Sequence, residues 1–157
     1  MDTDAESNLT ISKLREFDAD AVEDTRLFRD ELTLYIRPGS FLRICEFLRD
    51  DPSLKFSFLA DVTALDLYPQ EPRFELVYHL LSPGNAKRLR LKVRVGGDDP
   101  RQGTITTVWP GANAFEREVF DLFGIRFDGH PFLRRLLMPD DWQGYPLRKD
   151  YPTEGYR

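Results

Sequence analysis

The pattern of hydrophobic positions predicts a first strand from Glu31 to Arg37, where apolar residues occupy every second position. Pro38-Gly39 ends this strand, and Ser40 is a suitable N-cap for a helix. That helix has one broad apolar stripe and stops at Asp50-Asp51-Pro52, so we expect it to lie on one face of a sheet. The stripe comprises Phe41, Ile44, Cys45 and Leu48.

Three more runs have the period of strands. The run from Phe56 to Tyr68 changes phase, and a bulge or bend near Ala60 to Ala64 would reconcile its two halves. Phe74 to Ser82 and Lys87 to Val95 both alternate apolar and polar residues, and the turn residues Pro83-Gly84-Asn85 separate them. These last two runs predict an antiparallel hairpin.

A second helix is predicted before the C-terminal part of the chain. Thr104 to Val108 is rich in β-branched residues and predicts a short strand. Asn113 then serves as N-cap, with Glu116 as the reciprocal member of a capping box and Gly124 as the stop signal. The order of elements predicts an α+β fold with two layers: helices pack on a largely antiparallel sheet of about four strands, with an extended C-terminal arm.

The chain after Gly124 is punctuated by prolines, which remove backbone donors and disfavour helices and central strands. It nevertheless carries more leucine and aromatic side chains than a disordered tail usually has. Either the protein's own domain or a partner must cover this surface. We therefore expect an acidic, flexible N-terminal tail at residues 1–28, an α+β domain at 29–124, and a proline-punctuated docking arm at 125–157.

Composition narrows the function. The net charge of -5 comes from residues 1–31, which hold ten acidic residues against four basic ones, so nucleic-acid binding gains no support from charge. Cys45 is the only cysteine, which excludes an internal disulfide and a four-cysteine iron–sulfur site. The first residues lack the apolar segment of a signal peptide, and no stretch approaches 18 apolar residues. The nucleotide, phosphate and zinc motifs are also missing.

Several charged groups are candidate sites, each with a structural alternative. The strand face with Arg88, Arg90, Lys92 and Arg94 is either a solvated sheet face or a docking face for an acidic partner. His79 is expected on a sheet face. Glu116 and Glu118 are candidate catalytic carboxylates. However, Glu116 has a capping role, and Arg117 can pair with Asp121 four residues later, which leaves Glu118 without a local explanation.

The arm brings basic, acidic and aromatic residues in series, which are types enriched at protein interfaces. Together with the second helix it carries a set of motifs in a fixed order: ERE, DLFGI, F-x-GHP-x-LRR, P-DDW and PLRKDYP. Upstream stand DVTALDLYP, RFELVYHLLS, RLRLKVRV and VWPGAN. In these motifs the chain resembles the C subunit, or thirty-kilodalton subunit, of the proton-translocating NADH:quinone oxidoreductase, respiratory complex I. The resemblance covers about residues 30–157.

The resemblance implies a scaffold subunit of the hydrophilic peripheral arm, at the cytoplasmic face of the bacterial cell membrane. It implies docking foremost on the D subunit, which is of the forty-nine-kilodalton type, and then on the B and I subunits. It implies no cofactor in this chain, because FMN, the iron–sulfur clusters and quinone belong to the partner subunits. It also implies structural and intersubunit contacts for a set of residues: Glu116, Arg117, Glu118, Asp121, His130, Pro131, Arg134, Arg135, Asp140, Asp141, Trp142, Arg148, Lys149, Asp150 and Tyr151.

Three alternatives stay open. The chain could be the equivalent subunit of a related membrane-bound hydrogenase or of a dehydrogenase that uses another electron donor. It could be a stand-alone hydrolase that uses Glu116 and Glu118, although a second catalytic group is lacking. It could also bind nucleic acid through the Arg88 to Arg94 face, although such platforms interleave aromatic residues with the basic ones.

Overall fold

The computed structural model describes residues 2–156, with side chains from residue 9 onward. The helices and strands follow one another in the order α1 (Asp2–Asp18), β1 (Val22–Phe28), β2 (Glu31–Ile36), α2 (Phe41–Asp50), β3 (Phe58–Asp66), β4 (Phe74–Ser82), β5 (Lys87–Val95), β6 (Arg101–Gly103), α3 (Ala112–Phe123) and β7 (Arg126–Asp128).

The main sheet has five strands in the order β1-β2-β5-β4-β3. All neighbours are antiparallel except β2 and β5, which run parallel. Helices α2 and α3 pack on one face, where Phe41 contacts Tyr78 and Phe123 contacts Phe74. The predicted α+β class with two layers is therefore confirmed, although the sheet has one strand more than the expected four.

The predicted hairpin and the predicted bulge are both confirmed. β4 pairs with β5 along its whole length, and Leu76 opposite Val93 and Tyr78 opposite Leu91 lie on the face that the helices cover. The register of β3 against β4 shifts between Leu59 and Asp61, inside the predicted range, and the buried positions change parity there from Leu59 to Val62 and Ala64. Leu65, from the second hydrophobic phase, nevertheless stays 46% exposed. The apolar stripe of α2 is fully buried, as its spacing predicts.

The N-terminal segment differs from the flexible tail predicted for residues 1–28. Within the described residues 2–28, α1 buries Leu14 completely and Lys13 pairs with Asp51 at 3.1 Å. β1 then adds to the edge of the sheet as an antiparallel partner of β2. The segment folds onto the domain because one buried leucine and a ladder of backbone hydrogen bonds outweigh its acidic composition.

Two local predictions are wrong. Residues 104–108 form turns, while the strand β6 lies just before them and pairs in parallel with β7. The helix α3 begins at Ala112, with Gly111 in the N-cap position and no side-chain cap, so Asn113 is not a cap. Ser40 occupies the N-cap position of α2, but its side chain makes no cap hydrogen bond.

After β7, the described chain up to residue 156 contains neither helix nor strand, as its proline content predicts. Among the helices within residues 2–156, none has the length and apolar character needed to cross a membrane.

The docked position of α1 can be tested with Leu14→Ala. We expect the free energy of unfolding to fall by about 2–4 kcal/mol, because a fully buried leucine side chain is removed. Urea denaturation of the full chain measures this change. The matched control is Ser12→Ala, an exposed position on the same helix. Equal free energies of unfolding for Leu14→Ala and Ser12→Ala would contradict the docked helix and support the predicted flexible tail.

Candidate docking surface

The C-terminal arm, residues 125–157, is held on the domain by buried carboxylates. Asp121 on α3 and Asp66 at the end of β3 both accept hydrogen bonds from backbone N–H groups of the arm. An extended segment has few internal hydrogen bonds, so its backbone donors need partners elsewhere. These carboxylates therefore position the arm and decide which of its side chains face outward.

Asp121 is the most highly coordinated of these groups. Its side chain is fully buried, and its Oδ2 accepts hydrogen bonds from the N–H groups of Leu136, Leu137 and Met138 at 3.2, 2.7 and 2.9 Å. Burial acts to raise the pKa of this carboxyl, but the Met138 amide, the Arg135 guanidinium and the other two amides outweigh it. The pKa therefore lies below its usual range, and Asp121 stays charged.

Arg135 joins Asp121 to the next loop of the arm. Its Nη1 donates to Asp121 Oδ1 at 3.0 Å, and its Nη2 donates to the carbonyls of Trp142 and Gly144 at 2.9 and 3.0 Å. The guanidinium also lies over the Tyr145 ring, 5.1 Å from its centroid. One arginine thus satisfies a buried carboxylate and two backbone acceptors, which its fixed planar fork allows.

A second buried ion pair anchors the end of the arm. Asp66 and Arg73 form a bidentate pair with both distances at 2.9 Å, and Arg73 also donates to Asp150 at 2.7 Å. The N–H of Lys149 donates to Asp66 at 2.8 Å. Burial opposes the charge on Asp66, but Arg73 and the backbone amides dominate and lower its pKa. The hydrogen bond from Arg73 lowers the pKa of Asp150 as well.

Arg148 holds the arm to the end of α3, between the anchors at Asp121 and Asp66. Its Nε donates to the carbonyl of Phe123 at 2.6 Å, and its guanidinium lies between the rings of Phe74 and Tyr145. Gly124 must be glycine here, because its φ is +76° and a Cβ would lie 2.6 Å from both Arg148 and Tyr145. The C-terminal stop signal of α3 is therefore also a packing site for the arm.

Glu116 does not have the capping role predicted for it. The carboxyl is fully buried, the Thr104 hydroxyl lies 2.6 Å from its Oε2, and the N–H of Ile105 donates to its Oε1 at 2.9 Å. Burial raises the pKa of Glu116 to about 7, and the two hydrogen bonds only partly offset this effect. Glu116 therefore fixes the turn that replaces the predicted strand at residues 104–108.

The predicted pair between Arg117 and Asp121 is also absent from the described residues. Arg117 instead donates to the carbonyls of Arg134 and Arg135, both at 3.1 Å. His130 contacts the carbonyl of Asn113 through Nε2 at 3.0 Å, and its Nδ1 accepts the N–H of Phe132. Both side chains hold the first half of the arm against α3.

The other predicted site residues lie on the outer side of the arm. Arg134 and Asp140 form an exposed ion pair at 2.9 Å. Pro131, Asp141 and the Lys149 side chain are exposed, and Trp142 Nε1 donates to the hydroxyl of Tyr151 at 3.2 Å. Large exposed apolar side chains accompany them: Phe132, Leu136, Leu137, Trp142, Leu147 and Tyr156. Contacts of these residues with another subunit stay a prediction.

The basic strand face of β5 is largely neutralised within the chain. Lys92 and Arg94 both pair with Glu75, and Arg90 pairs with Glu31. His79 lies half-buried on this same face, and burial followed by the charge of Arg90 lowers its pKa. These pairs favour a structural role over the predicted alternative of a docking face for an acidic partner.

The arrangement offers little for catalysis. Glu116 is buried and hydrogen-bonded, whereas Glu118 is half-buried and lines a separate cavity. Burial, and then the charges of Glu46 and Glu116, raises the pKa of the Cys45 thiol, which makes it a poor nucleophile. Among residues 9–156, whose side chains the structure describes, no group of three His, Cys, Asp or Glu residues is placed to hold a metal ion.

Sequence reasoning missed Asp66 and Arg73, the pair that anchors the end of the arm. One signal could have revealed Asp66: it has the same parity as the buried residues Val62 and Ala64 of β3. A carboxylate in the core phase of a strand needs a cation or several hydrogen-bond donors.

Comparison with known proteins gives a consistent result. A sequence model of the family described as "Respiratory-chain NADH dehydrogenase, 30 Kd subunit" matches residues 34–157. The C subunit of NADH-quinone oxidoreductase from Roseiflexus sp. (strain RS-1) is 49% identical over 142 residues, which is 90% of this chain and 82% of that protein. The protein of the same name from Geobacter sulfurreducens is 49% identical over 152 residues, 96% of this chain and 93% of that one.

Solved structures show the same similarity in three dimensions. The trypsin-resistant fragment of Nqo5 has a TM-score of 0.66 and 35% identity, and covers 78% of this chain and 97% of its own. The membrane-bound sulfane sulfur reductase, an archaeal respiratory membrane complex, contains a chain with a TM-score of 0.80 and 25% identity. The similarity covers 94% of this chain and 86% of that one. The resemblance predicted from the motifs is confirmed.

The substitution Asp121→Asn tests the main anchor of the arm. The asparagine loses the ion pair with Arg135 and turns an NH2 group towards backbone donors. We therefore expect the free energy of unfolding to fall by about 3 kcal/mol. Limited trypsin digestion should then cut faster at Arg134 and Arg135, while circular dichroism still reports a folded domain. Asp141→Asn, at an exposed position, is the control. Equal digestion rates for the two variants would contradict the anchor.

Glu116→Gln tests the buried carboxyl. Since its pKa is about 7 in the folded chain and near 4.5 when unfolded, the folded state holds more protons between these pH values, and stability falls as pH rises. Between pH 4.5 and 7.5, the free energy of unfolding of the wild-type protein should fall by about 3 kcal/mol more than that of Glu116→Gln. Urea denaturation at both pH values measures this, with Glu118→Gln as the control. Parallel pH profiles for wild type and Glu116→Gln would refute it.

Proposed function

This chain belongs to the family of the 30 kDa subunit of respiratory-chain NADH dehydrogenase, and we propose that it is a scaffold subunit without a cofactor of its own. In this proposal it docks foremost on the D subunit, and also on the B and I subunits, in the peripheral arm of NADH:quinone oxidoreductase. It supports electron transfer from NADH to quinone, coupled to proton translocation, without touching the reacting groups. Its place is the cytoplasmic face of the bacterial cell membrane.

The observation that carries the proposal is the contrast between the two sides of the arm. Its inner side is fixed by Asp121, Arg135 and the Asp66–Arg73 pair, while six large apolar side chains point outward. Exposed apolar groups on a rigid segment lose little conformational entropy on binding, which favours tight association. The exposed tryptophan and arginines are residue types that dominate interface energetics.

The proposed absence of a cofactor is supported by what the side chains can offer. The only cysteine is buried, with a raised pKa, and so is a poor ligand for an iron–sulfur cluster. The two histidines are occupied elsewhere: His79 lies among the charges of β5, and His130 bonds two backbone groups of its own chain. Flavin, clusters and quinone would belong to the partner subunits.

A second candidate is the equivalent subunit of a related membrane-bound complex with another electron donor or acceptor. Its support is the similarity to the membrane-bound sulfane sulfur reductase, which covers 94% of this chain. The higher identity with proteins named as the C subunit of NADH-quinone oxidoreductase, 49% in two of them, favours the first candidate. NADH:quinone activity of the purified complex distinguishes the two, because only the first candidate requires oxidation of NADH by quinone.

Leu137→Ser tests the docking role of the arm. This side chain is 62% exposed, so we expect the isolated chain to keep its stability, whereas affinity for the D subunit should fall about tenfold or more. Co-purification of the tagged full chain from membranes, with NADH:quinone activity, measures the loss. The control is Leu42→Ser, a 40% exposed position on α2. Normal assembly of Leu137→Ser, with assembly lost in Leu42→Ser, would place the contact on α2 instead.

A further inference from the structure

The strand β3 forms one edge of the main sheet and has no partner on its outer side. Within residues 2–156, its backbone hydrogen bonds run only to the β4 side. The N–H of Leu67 donates to the carbonyl of Arg73 at 2.7 Å, just beyond the strand. Since bonded and non-bonded pairs alternate along an antiparallel ladder, the backbone groups of Val62, Ala64 and Asp66 point away from β4.

The second half of this edge, residues 62–66, lacks the usual protection. Edge strands are normally blunted by lysine, proline, charges or bulges, which prevent pairing with other chains. β3 contains neither lysine, arginine nor proline, and its bulge and its exposed charge, Asp61, both lie in the first half of the strand. The following residues, 62–66, are regular and carry no exposed charge. Leu65 on the open face is 46% exposed. The opposite edge strand, β1, carries three exposed charges: Glu23, Asp24 and Arg26.

A small cavity lies beside this edge, between β3, α3 and the arm. Its volume is about 140 Å³, and its lining includes Thr63 on β3, Glu118 and Leu122 on α3, and Leu147 of the arm. Glu118 is half-buried and, within the described residues, forms no hydrogen bond or ion pair. The neighbouring Arg117, which could neutralise it, is engaged with the carbonyls of the arm. Asp61 of β3 lines the same cavity, so the cavity presents two carboxylates, neither of which forms an ion pair among the residues that the structure describes.

We propose that the edge of β3 binds an extended, basic segment of another subunit, which adds to the sheet as a sixth strand. A lysine or arginine of that segment enters the cavity and pairs with Glu118. This rests on the proposed function only in requiring a second subunit, and it uses a different surface from the outer side of the arm.

The geometry specifies the segment further. Side chains of an added strand alternate between the two faces of the sheet. The side chain that faces α3 meets Glu118 and Leu122, so a basic group with an apolar stem fits there. Its neighbours face the open side, where Leu65 offers an apolar contact. Backbone hydrogen bonds supply affinity in this binding mode, and the cavity supplies selectivity.

Photo-crosslinking in the purified complex tests the proposal. A photoreactive phenylalanine analogue replaces Leu65, and mass spectrometry identifies the crosslinked peptide. We expect a peptide of another subunit that contains lysine or arginine, at a yield at least tenfold above that from Leu27. Leu27 is the matched control, because it is also 46% exposed and lies on the opposite edge strand, β1. A yield equal to that from Leu27, or crosslinks to lipid or to an acidic peptide, would overturn the proposal.

The role of Glu118 is measured with a synthetic peptide of the crosslinked sequence and the isolated full chain. Glu118→Gln should raise the Kd about tenfold, the effect of losing one partly desolvated ion pair. Glu46→Gln, at an exposed position on α2, should leave it unchanged. An unchanged Kd for Glu118→Gln would refute the proposed ion pair between Glu118 and the basic side chain of the segment. If Leu65 gives the expected crosslinks and Leu137→Ser assembles normally, docking through the arm is refuted and strand addition at β3 is supported. If Leu65 gives no such crosslinks and Leu137→Ser fails to assemble, strand addition at β3 is refuted and docking through the arm is supported.

Discussion

The coordination of Asp121 is the interaction on which the rest of the C-terminal half depends. An extended segment of about thirty residues with several prolines cannot satisfy its own backbone, so its N–H groups require acceptors on the domain. Asp121 accepts three of them in a row and holds Arg135, which in turn binds two carbonyls further along. A single buried carboxylate thereby fixes two consecutive turns of the arm.

Two acids on one helix show how burial and donors together decide the charge of a buried group. Glu116 and Asp121 are both fully buried on α3. Glu116 receives hydrogen bonds from one hydroxyl and one amide, and burial raises its pKa to about 7. Asp121 receives three amides and a guanidinium, and its pKa is lowered. The deeper burial of Glu116 and the larger number of donors around Asp121 together move the two pKa values in opposite directions, so stability depends on pH through Glu116.

Hydrophobic periodicity predicted much of the fold, because burial on one face repeats with the period of the element. The hairpin of β4 and β5, the stripe of α2 and the bulge of β3 follow from it. Rules of local charge failed on α3, since a capping box or an i,i+4 pair contributes little against tertiary partners. Glu116 bonds Ile105 and Asp121 bonds Arg135, contacts that no sequence spacing contains. For the N-terminal helix the acidic composition was given too much weight against a short apolar stripe: Ile11, Leu14 and Phe17 recur at helical spacing, and all three pack on the domain.

The same logic explains why the candidate sites of this chain are surfaces rather than a pocket. Its buried charges form ion pairs within the chain: Asp66 pairs with Arg73, and Glu75 pairs with two cations of β5. What stays outward is apolar on the arm, and unpaired backbone of β3 beside the carboxylate of Glu118 on α3. Both are features that association with another chain stabilises and that water does not.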